Sequence, residues 1–289
     1  MSGLTLLKLG GELLEPGDAL ADVMASIAAL AADGPLAIVH GGGREIDTEL
    51  LRRGVPKQTV EGLRVTDAAT LDAVVAVLAG TINTRLVAAL VARGVRAVGL
   101  TGVDAALGLS RRAPAHRTVD GQLVDLGLVG QPVQAPASPL LLDLIARRYV
   151  PAIACLGVDA HGQVLNVNAD TLAAALAAAL RAERLIIAGG TAGVLDRDGG
   201  TLAALDEAGI DRMIADGSAS AGMVAKLRAC REALDAGVGS VAIVAGRHAG
   251  GFATAPGTRL VKAPHPSLSP RDEGSGADAL APMPGRGLG

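Results

Sequence analysis

The chain has 289 residues, a formal net charge of −3 and a composition that is half hydrophobic, with one Tyr, one Phe and no Trp. So few aromatic residues argue against base stacking on single-stranded nucleic acid, and the mixed charges give no basic field for a phosphate backbone. With neither a signal peptide nor an unbroken apolar run of membrane-spanning length, the sequence predicts a soluble, cytoplasmic protein that binds neither nucleic acid nor membrane.

Short apolar runs alternate along the chain with longer Ala- and Leu-rich segments. Six runs are predicted strands, at Leu4–Leu9, Leu36–His40, Ala97–Leu100, Val150–Ala154, Leu185–Ala188 and Val241–Val244. Six segments are predicted helices, near Ala19–Ala32, Arg44–Arg53, Ala68–Arg93, Pro139–Arg148, Thr171–Arg181 and Met223–Ala236. Apolar strands separated by helices are typical of a parallel sheet covered on both sides. The sequence therefore predicts an α/β fold.

Two stretches interrupt this alternation and divide the chain further. Residues 120–135 and 157–170 contain Asp-Gly and His-Gly turns, which predict hairpin insertions over one rim of the sheet. We predict an N-terminal lobe over residues 1–181 and a C-terminal lobe over residues 182–262. Residues 263–289 are rich in Pro and Gly and lack apolar periodicity, so they are predicted to form a disordered tail.

Two glycine clusters, Gly10-Gly11 and Gly41 to Gly43, each follow a predicted strand directly. In a parallel sheet both clusters lie at the carboxyl edge, where ligands bind. Backbone N–H groups can approach a ligand closely there, and a helix N-terminus adds positive potential, so the two loops predict an anion cradle. The alternative is a pair of tight strand-to-helix turns. Neither a Walker loop nor a GxGxxG fingerprint follows the first strand.

Two lysines stand in glycine-rich surroundings. Only four of the 26 basic residues are lysine, so a lysine in such a place suggests a chemical role. Lys8 lies at the end of the first predicted strand, and Lys226 lies in the first turn of a predicted helix, where it opposes the helix dipole. A lysine can neutralise a phosphoryl group during transfer. Otherwise Lys8 reaches water along the surface, and Lys226 is a surface residue beside Arg228 and Arg231.

Polar residues around Asp170 form the next candidate group. Asp170 precedes an Ala- and Leu-rich helix, so it is predicted to cap that helix and also to hold the two lysines by hydrogen bonds. Asn166 and Asn168 alternate with Val167, which places both amides on one side of an extended strand. Two amides facing a cleft suit recognition of a small polar ligand.

Arg64 lies in a predicted loop and carries the donor geometry for a carboxylate. Its guanidinium can bind a carboxylate with two parallel hydrogen bonds. The alternative is an ordinary surface ion pair with Asp67 or Glu61.

The histidines and cysteines give no sign of a metal site or a catalytic triad. His40 ends a strand without the partners that a triad requires, and neither the other histidines nor Cys155 and Cys230 show metal-ligand spacing. The chain thus lacks an obvious general base. A carboxylate that accepts a phosphoryl group needs none, because it is already ionised at neutral pH.

The chain resembles the acetylglutamate kinase branch of the amino acid kinase family. The resemblance covers roughly residues 4–262 and rests on these motifs in order: KLGGELL, VHGGGREID, GLRVTDAATLD, LAGTINTRLV, VLNVNADTLAAALA and GMVAKLRACREAL. It implies an open three-layer αβα sandwich around a mainly parallel sheet. It also implies ATP-dependent phosphorylation of the γ-carboxylate of N-acetyl-L-glutamate, with Mg²⁺ bound alongside the nucleotide, to give N-acetyl-L-glutamyl 5-phosphate for arginine biosynthesis.

The resemblance also implies roles for individual residues. It assigns catalysis to Lys8, Gly11, Gly42, Asp170 and Lys226. It assigns acetylglutamate binding, in the N-terminal lobe, to Gly42, Gly43, Arg64 and Asn166. It assigns ATP binding, in the C-terminal lobe, to Gly190, Thr191, Gly193, Leu195 and Lys226.

Two positions depart from the pattern of that family. Gly190 and Ala221 stand where the resemblance predicts acidic residues, both in the nucleotide half. These two positions support one alternative, a catalytically weak acetylglutamate-binding paralogue. A second alternative, a kinase of carrier-linked aminoadipate or glutamate, stays open independently of them. Because the first strand begins near Leu4, we expect no additional N-terminal helix. We accordingly expect a homodimer, joined across Ala68–Arg93, that arginine does not inhibit.

Overall fold

The computed structural model describes residues 3–118, 120–247, 251–252 and 254–262. The strands in chain order are β1 (Thr5–Leu9), β2 (Leu36–His40), β3 (Thr59–Val60), β4 (Leu63–Arg64), β5 (Ala97–Thr101), β6 (Ser110–Arg112), β7 (His116–Arg117), β8 (Leu123–Val124), β9 (Val129–Pro132), β10 (Val150–Ala154), β11 (Leu156–Val158), β12 (Val164–Val167), β13 (Arg184–Gly189), β14 (Ala204–Asp206), β15 (Ser240–Ala245) and β16 (Gly257–Val261). The α-helices are α1 (Asp18–Asp33), α2 (Gly43–Arg53), α3 (Ala68–Val75), α4 (Asn83–Val91), α5 (Pro139–Ala146), α6 (Ala169–Ala179), α7 (Glu207–Ala215) and α8 (Ala221–Asp235). A π-helical segment, Ala76–Ile82, joins α3 to α4, and short 3-10 helices cover Gly11–Leu13 and Asp104–Ala106.

Eight strands form the central sheet in the order β14-β16-β15-β13-β1-β2-β10-β5. All neighbouring pairs are parallel except β15 and β16, which are antiparallel. Every residue of β1, β2 and β10 is buried, as expected where helices cover both faces of a parallel sheet. The predicted three-layer α/β fold with a mainly parallel sheet is confirmed.

All six predicted strands belong to this sheet, but two of its members were not predicted. In β16 the exposed Arg259 alternates with the buried Thr258 and Leu260, so the strand lacks the continuous apolar run of its neighbours. The other missed strand, β14, has only three residues. The helix α7 was also missed.

Both predicted hairpin insertions are present. The strands β11 and β12 pair in antiparallel fashion around His161-Gly162, and with β9 and β6 they form a four-stranded sheet. The strands β7 and β8 form a separate antiparallel pair. This second hairpin begins at His116, before the predicted stretch, and its turn is closed by a 2.9 Å bond from the Thr118 N–H to the Gln122 carbonyl.

The predicted lobe boundary falls at the centre of the sheet. The strand β13 begins shortly after residue 181 and pairs with β1 from Thr5 opposite Arg184 to Leu9 opposite Ala188. The two halves therefore share one sheet, and their division into functional lobes stays a prediction. The predicted tail, residues 263–289, lies outside the described residues.

One continuous helix, Ala68–Val91, is long and apolar enough to cross a membrane by length and composition alone. This helix was not predicted from the sequence to be a possible membrane span. Its buried apolar residues recur every three or four positions, as on the inward face of a core helix: Leu71, Val74, Leu78, Ile82, Leu86 and Leu90. Because these residues belong to the hydrophobic core, its apolar composition has an explanation within the fold.

Candidate active site

The carboxyl ends of β1, β2 and β13 are tied together at one edge of the sheet. The Gly10 N–H, after β1, donates a 2.9 Å hydrogen bond to the Ala188 carbonyl of β13. The Gly41 N–H, after β2, donates a 3.3 Å hydrogen bond to the Leu9 carbonyl of β1. The first residues of both glycine clusters therefore lie at this edge.

The two glycine loops are in direct backbone contact. A Cβ atom added to Gly11 would lie 2.7 Å from the Gly42 Cα, and one added to Gly42 would lie 2.1 Å from Cδ1 of Ile82. The Gly11 contact is with backbone, so Gly11 is required for the loops to pack, whereas a side chain at Gly42 would have to displace the buried end of Ile82. The structure thus brings the two predicted cradle loops together.

Three charged side chains form a buried cluster beside these loops, which we call the Lys-Asp-Lys triad: Lys8, Asp170 and Lys226. The Lys8 Nζ lies 2.8 Å from Oδ1 of Asp170, and the Lys226 Nζ lies 3.2 Å from Oδ2 of the same carboxylate. Lys8 and Asp170 are only 7% and 6% exposed. Because one carboxylate faces two ammonium groups, the triad holds one uncompensated positive charge, which favours an anionic ligand.

The triad shifts the pKa of each of its members. Burial alone would lower the pKa of Lys8, but the Asp170 carboxylate outweighs it and raises the pKa. Burial likewise opposes ionisation of Asp170, yet the two lysines hold its pKa below its usual range. Burial and repulsion from Lys8 lower the pKa of Lys226 despite the attraction of Asp170. Lys8 and Asp170 are therefore both charged at neutral pH.

The predicted helix cap at Asp170 is wrong. The cap of α6 is Asn168, whose Oδ1 accepts hydrogen bonds from the N–H groups of Asp170 at 2.9 Å and Thr171 at 3.2 Å. The helix begins at Ala169, which places Asp170 inside its first turn. Because Asn168 caps the helix, the Asp170 carboxylate is free to bind the lysines. The amide oxygen of Asn168, which was predicted to face a ligand, is instead used by the cap.

The predicted position of Lys226 in a first helical turn is also wrong. The helix α8 begins at Ala221, with the Ser220 hydroxyl accepting from the Met223 N–H, so Lys226 lies in the second turn. The helix dipole acts mainly on the terminal turn and therefore gives no reason for a lysine here. Its contact with Asp170 provides one.

Arg64 is anchored through one side of its guanidinium group. Its Nη2 donates to Oδ1 of Asp47 at 2.5 Å and more weakly to the Gly43 carbonyl at 3.4 Å. The Arg64 Nη1 is buried and has no hydrogen-bond partner among the described residues. The ion-pair partner of Arg64 is therefore Asp47 and neither of the two predicted residues. Asp67 caps α3, and Glu61 lies 2.8 Å from His116. Asp47 was not predicted as a partner of Arg64.

Asn166 lies in the same neighbourhood as Arg64. The Asn166 Nδ2 donates to the Thr66 hydroxyl at 3.0 Å, and the Thr66 hydroxyl lies 3.4 Å from the Arg64 carbonyl. The Arg64 side chain in turn contacts the carbonyl of Gly43, at the start of α2. The structure therefore brings together the three predicted ligand-binding positions Gly43, Arg64 and Asn166.

A separate cavity of about 660 Å³ lies in the C-terminal half. Its lining includes the apolar Leu195, Leu205 and Met213 together with the polar Asp206 and Arg212. A cavity of this size and mixed lining suits a nucleoside-sized ligand. Leu195 is the predicted nucleotide-binding residue that lines it. Gly193 is required nearby, since its φ is +126° and a Cβ there would lie 2.7 Å from the Thr258 hydroxyl.

Glu12 is a charged residue of this region that the sequence analysis missed. Its Oε1 accepts a 2.8 Å hydrogen bond from the N–H of Gly190, the position where the resemblance predicts an acid. Its negative charge also contributes to the raised pKa of Lys8. The sequence signal for Glu12 was its place directly after Gly10-Gly11. An acidic residue was not expected to contribute to a predicted anion site, so Glu12 was not selected.

Metal-ligand clusters are absent from the described part of the chain, since no group of three or more His, Cys, Asp or Glu side chains is suitably placed. His40 is fully buried and faces Asn83, and His116 pairs with Glu61. His248 and His265 lie outside the described residues.

Comparison with known proteins gives consistent relatives. A family model described as the amino acid kinase family matches residues 3–245. A protein named acetylglutamate kinase from Anaeromyxobacter sp. (strain Fw109-5) is 44% identical over 248 residues, covering 83% of this chain and 90% of that one. Another from Symbiobacterium thermophilum is 42% identical over 252 residues, covering 85% of each. The crystal structure of smu.665 from Streptococcus mutans UA159 superimposes with a TM-score of 0.75 at 27% identity, covering 89% of this chain and 98% of that one.

Proposed function

The chain belongs to the amino acid kinase family, and from this premise we propose that it phosphorylates the γ-carboxylate of N-acetyl-L-glutamate with ATP. The product is N-acetyl-L-glutamyl 5-phosphate, an intermediate of arginine biosynthesis. Relatives that carry the name acetylglutamate kinase at 42–44% identity support this choice of substrate.

The observation that carries the proposal is the Lys-Asp-Lys triad beside two touching glycine loops. In the reaction, a carboxylate oxygen attacks the γ-phosphorus, the bond from that phosphorus to the bridging oxygen breaks, and ADP leaves. Lys8 and Lys226 neutralise the charge on the phosphoryl oxygens, and Asp170 keeps the two ammonium groups in place. Gly11 and Gly42 donate backbone N–H groups to the same oxygens. The acceptor is ionised at neutral pH, so no general base takes part.

The acetylglutamate site is proposed around Arg64. Its buried Nη1 has no partner among the described residues, which is costly unless a ligand supplies an acceptor. A ligand carboxylate satisfies it, while Asp47 holds the rest of the guanidinium group. Asn166 and the Gly43 backbone complete the site and suit the polar groups of an acylated amino acid.

ATP is proposed to lie over the C-terminal half, with its nucleoside in the cavity that Leu195 lines and its phosphates toward the triad. The backbone of Gly190, Thr191 and Gly193 connects the two regions. Mg²⁺ commonly binds through one or two carboxylates and the substrate phosphates, so the donor set needs no metal cluster. The Glu12 carboxylate fits that role, because Asp170 is engaged by the lysines. Mg²⁺ supplies charge neutralisation of the phosphates when bound.

The proposal is tested by ADP release with ATP, Mg²⁺ and N-acetylglutamate, with hydroxylamine added to trap an acyl phosphate as its hydroxamate. Glutamate and N-acetylaspartate serve as controls. Turnover with N-acetylglutamate alone is expected. Turnover only with a carrier-linked substrate would support the carrier-linked alternative. Calorimetric binding of acetylglutamate without turnover would support the other alternative, a catalytically weak paralogue in which Gly190 and Ala221 replace the expected acidic residues.

Replacing Arg64 with lysine is expected to raise KM for N-acetylglutamate about 10- to 100-fold with little change in kcat. A lysine keeps the charge but loses the planar donor pair, and a hydrogen bond to a charged group contributes about 1.5–3 kcal/mol. Steady-state kinetics measures the change. The control is Arg52→Lys, an exposed arginine that pairs with Glu49 on α2. Equal effects of the two substitutions would contradict a binding role for Arg64.

A homodimer in the cytoplasm is part of the proposal. The helix Ala68–Val91 leaves Val91 55% exposed, and β5 forms one open end of the central sheet. Among the described residues the outer edge of β5 pairs with no other strand, and an open strand edge can pair with a second chain. Sedimentation velocity is expected to give a dimer, and arginine is expected not to inhibit turnover. A hexamer, or inhibition by arginine, would contradict this.

A further inference from the structure

The loop Gly41–Gly43 has a buried polar support that the proposed mechanism does not use. His40, the last residue of β2, is fully buried, and Asn83, at the start of α4, is 5% exposed. The Asn83 Nδ2 lies 3.0 Å from Nε2 of His40, and the His40 Nδ1 lies 3.3 Å from the Gly41 carbonyl oxygen. Asn83 therefore connects to the glycine loop through His40.

The orientation of the Asn83 amide follows from its other neighbours. Its Nδ2 lies 2.8 Å from the Ala152 carbonyl oxygen and 3.2 Å from the Leu100 carbonyl oxygen, on the adjacent strands β10 and β5. Both neighbours are acceptors only, so the nitrogen of the amide must face them. The same nitrogen faces Nε2 of His40, so its two N–H groups are shared among three acceptors. Because an amide nitrogen cannot accept a hydrogen bond, it offers no partner to a proton on Nε2.

The donor character of Asn83 selects one tautomer of His40. Burial lowers the pKa of His40 to about 4, although the backbone contact with Gly41 opposes this shift, so the ring is neutral at physiological pH. A neutral imidazole has one N–H donor and one acceptor nitrogen. Because Nε2 accepts from Asn83, the proton lies on Nδ1, which donates to the Gly41 carbonyl.

This bond determines the direction of the next N–H group. The Gly41 carbonyl and the Gly42 N–H belong to one planar trans peptide unit, in which C=O and N–H point in opposite directions. Since the carbonyl points toward the buried His40 ring, the Gly42 N–H points away from it. The preceding peptide is fixed as well, because the Gly41 N–H donates to the Leu9 carbonyl at 3.3 Å.

The helix that carries Asn83 also supports the loop directly. The segment Ala76–Ile82 is π-helical, a rare form that is frequent at functional sites. Its Ile82 lies so close to Gly42 that a Cβ there would be 2.1 Å from Cδ1 of Ile82. Gly99 of β5 provides the space for the Asn83 amide, since a Cβ on Gly99 would lie 2.1 Å from Oδ1 of Asn83.

We propose that Asn83 and His40 are positioning residues for the phosphoryl site. Asn83 fixes the Nδ1–H tautomer of His40, and His40 holds the Gly41 carbonyl so that the Gly42 N–H is directed to the transferring phosphoryl group. The proposal rests on the proposed kinase function for its catalytic consequence, but the hydrogen-bond chain itself can be tested without any substrate.

The first experiment is ¹⁵N NMR of the intact protein with labelled histidine and glycine. The wild-type His40 ring is expected to show a protonated Nδ1 and an unprotonated Nε2. The substitutions Gly99→Ala and Asn83→Ala are expected to move the ring nitrogens of His40 and the amide resonances of Gly42 and Gly43. Ser110→Ala is the control, because it also removes a buried side-chain donor, a hydroxyl bonded to the Gly108 carbonyl. It is expected to leave the His40, Gly42 and Gly43 resonances unchanged.

The second experiment is steady-state kinetics of the same variants. Gly99→Ala and Asn83→Ala are expected to lower kcat at least tenfold, with nucleotide affinity by calorimetry unchanged and with kcat of Ser110→Ala near the wild-type value. A proton on Nε2 of wild-type His40, unmoved Gly42 and Gly43 amides, or unchanged kcat in both variants would overturn the proposal. Absence of wild-type turnover would instead reject the proposed function, and the NMR result would still decide the hydrogen-bond chain.

Discussion

Replacing Lys8 with methionine is expected to lower kcat by about 10³-fold while the protein stays folded. A single preorganised electrostatic contact to a transition state typically contributes two to three orders of magnitude, about 3–4 kcal/mol. Methionine preserves most of the side-chain volume in this buried position. Asp170 retains Lys226 at 3.2 Å, so the substitution leaves a neutral ion pair and no unpaired charge.

Two measurements separate this effect from a general loss of structure. Thermal unfolding of Lys8→Met is expected to match the wild type closely, while coupled ADP release shows the loss of turnover. The control is Lys262→Met. Lys262 follows β16, which runs antiparallel to β15, so it lies at the edge of the sheet opposite the triad. Turnover of Lys8→Met within tenfold of the wild type would reject its role at the phosphoryl group.

Replacing Asp170 with asparagine is expected to have the largest effect on stability, a loss of about 3–5 kcal/mol in the free energy of unfolding at neutral pH. Removing one partner from a buried ion pair leaves an uncompensated buried charge, and here two ammonium groups lose their shared carboxylate. Turnover is expected to fall as well, because neither lysine keeps its position. Urea unfolding measures the loss, and bound ATP is expected to restore part of it, since its phosphates supply the missing negative charge.

The stability difference between wild type and Asp170→Asn is expected to depend on pH. The pKa of Asp170 is lowered in the folded protein, so its contribution is complete above the unfolded value of about 4 and is lost as pH falls through the folded value. The difference should therefore shrink in acid. Asp159→Asn is the control, because the N–H groups of Gln163 and His161 also lower the pKa of this turn residue. Its stability difference is expected to change with pH in the same direction but far less than that of the buried Asp170. A difference independent of pH would contradict the assignment.

Much of the central fold could be predicted from local sequence patterns. All six predicted strands are in the central sheet, because strands covered on both faces require continuous apolar runs that are visible in the sequence. The two missed strands, β14 and β16, are short or alternate in burial, so the same criterion did not detect them. The contact between the glycine loops could be predicted for a related reason, since Gly11 approaches the Gly42 backbone too closely for any other residue.

By itself the sequence determined the α/β class, the loops at the carboxyl edge and, through resemblance, the candidate lysines and Asp170. The choice of distant partners was decided only by the tertiary structure: Asp47 as the anchor of Arg64, Glu12 on Gly190, and Asn83 on His40. Each of these side chains had several chemically acceptable partners nearby in sequence. Hydrogen bonds and ion pairs form over about 3 Å, and only the folding of distant strands and helices against one another determines which groups come that close.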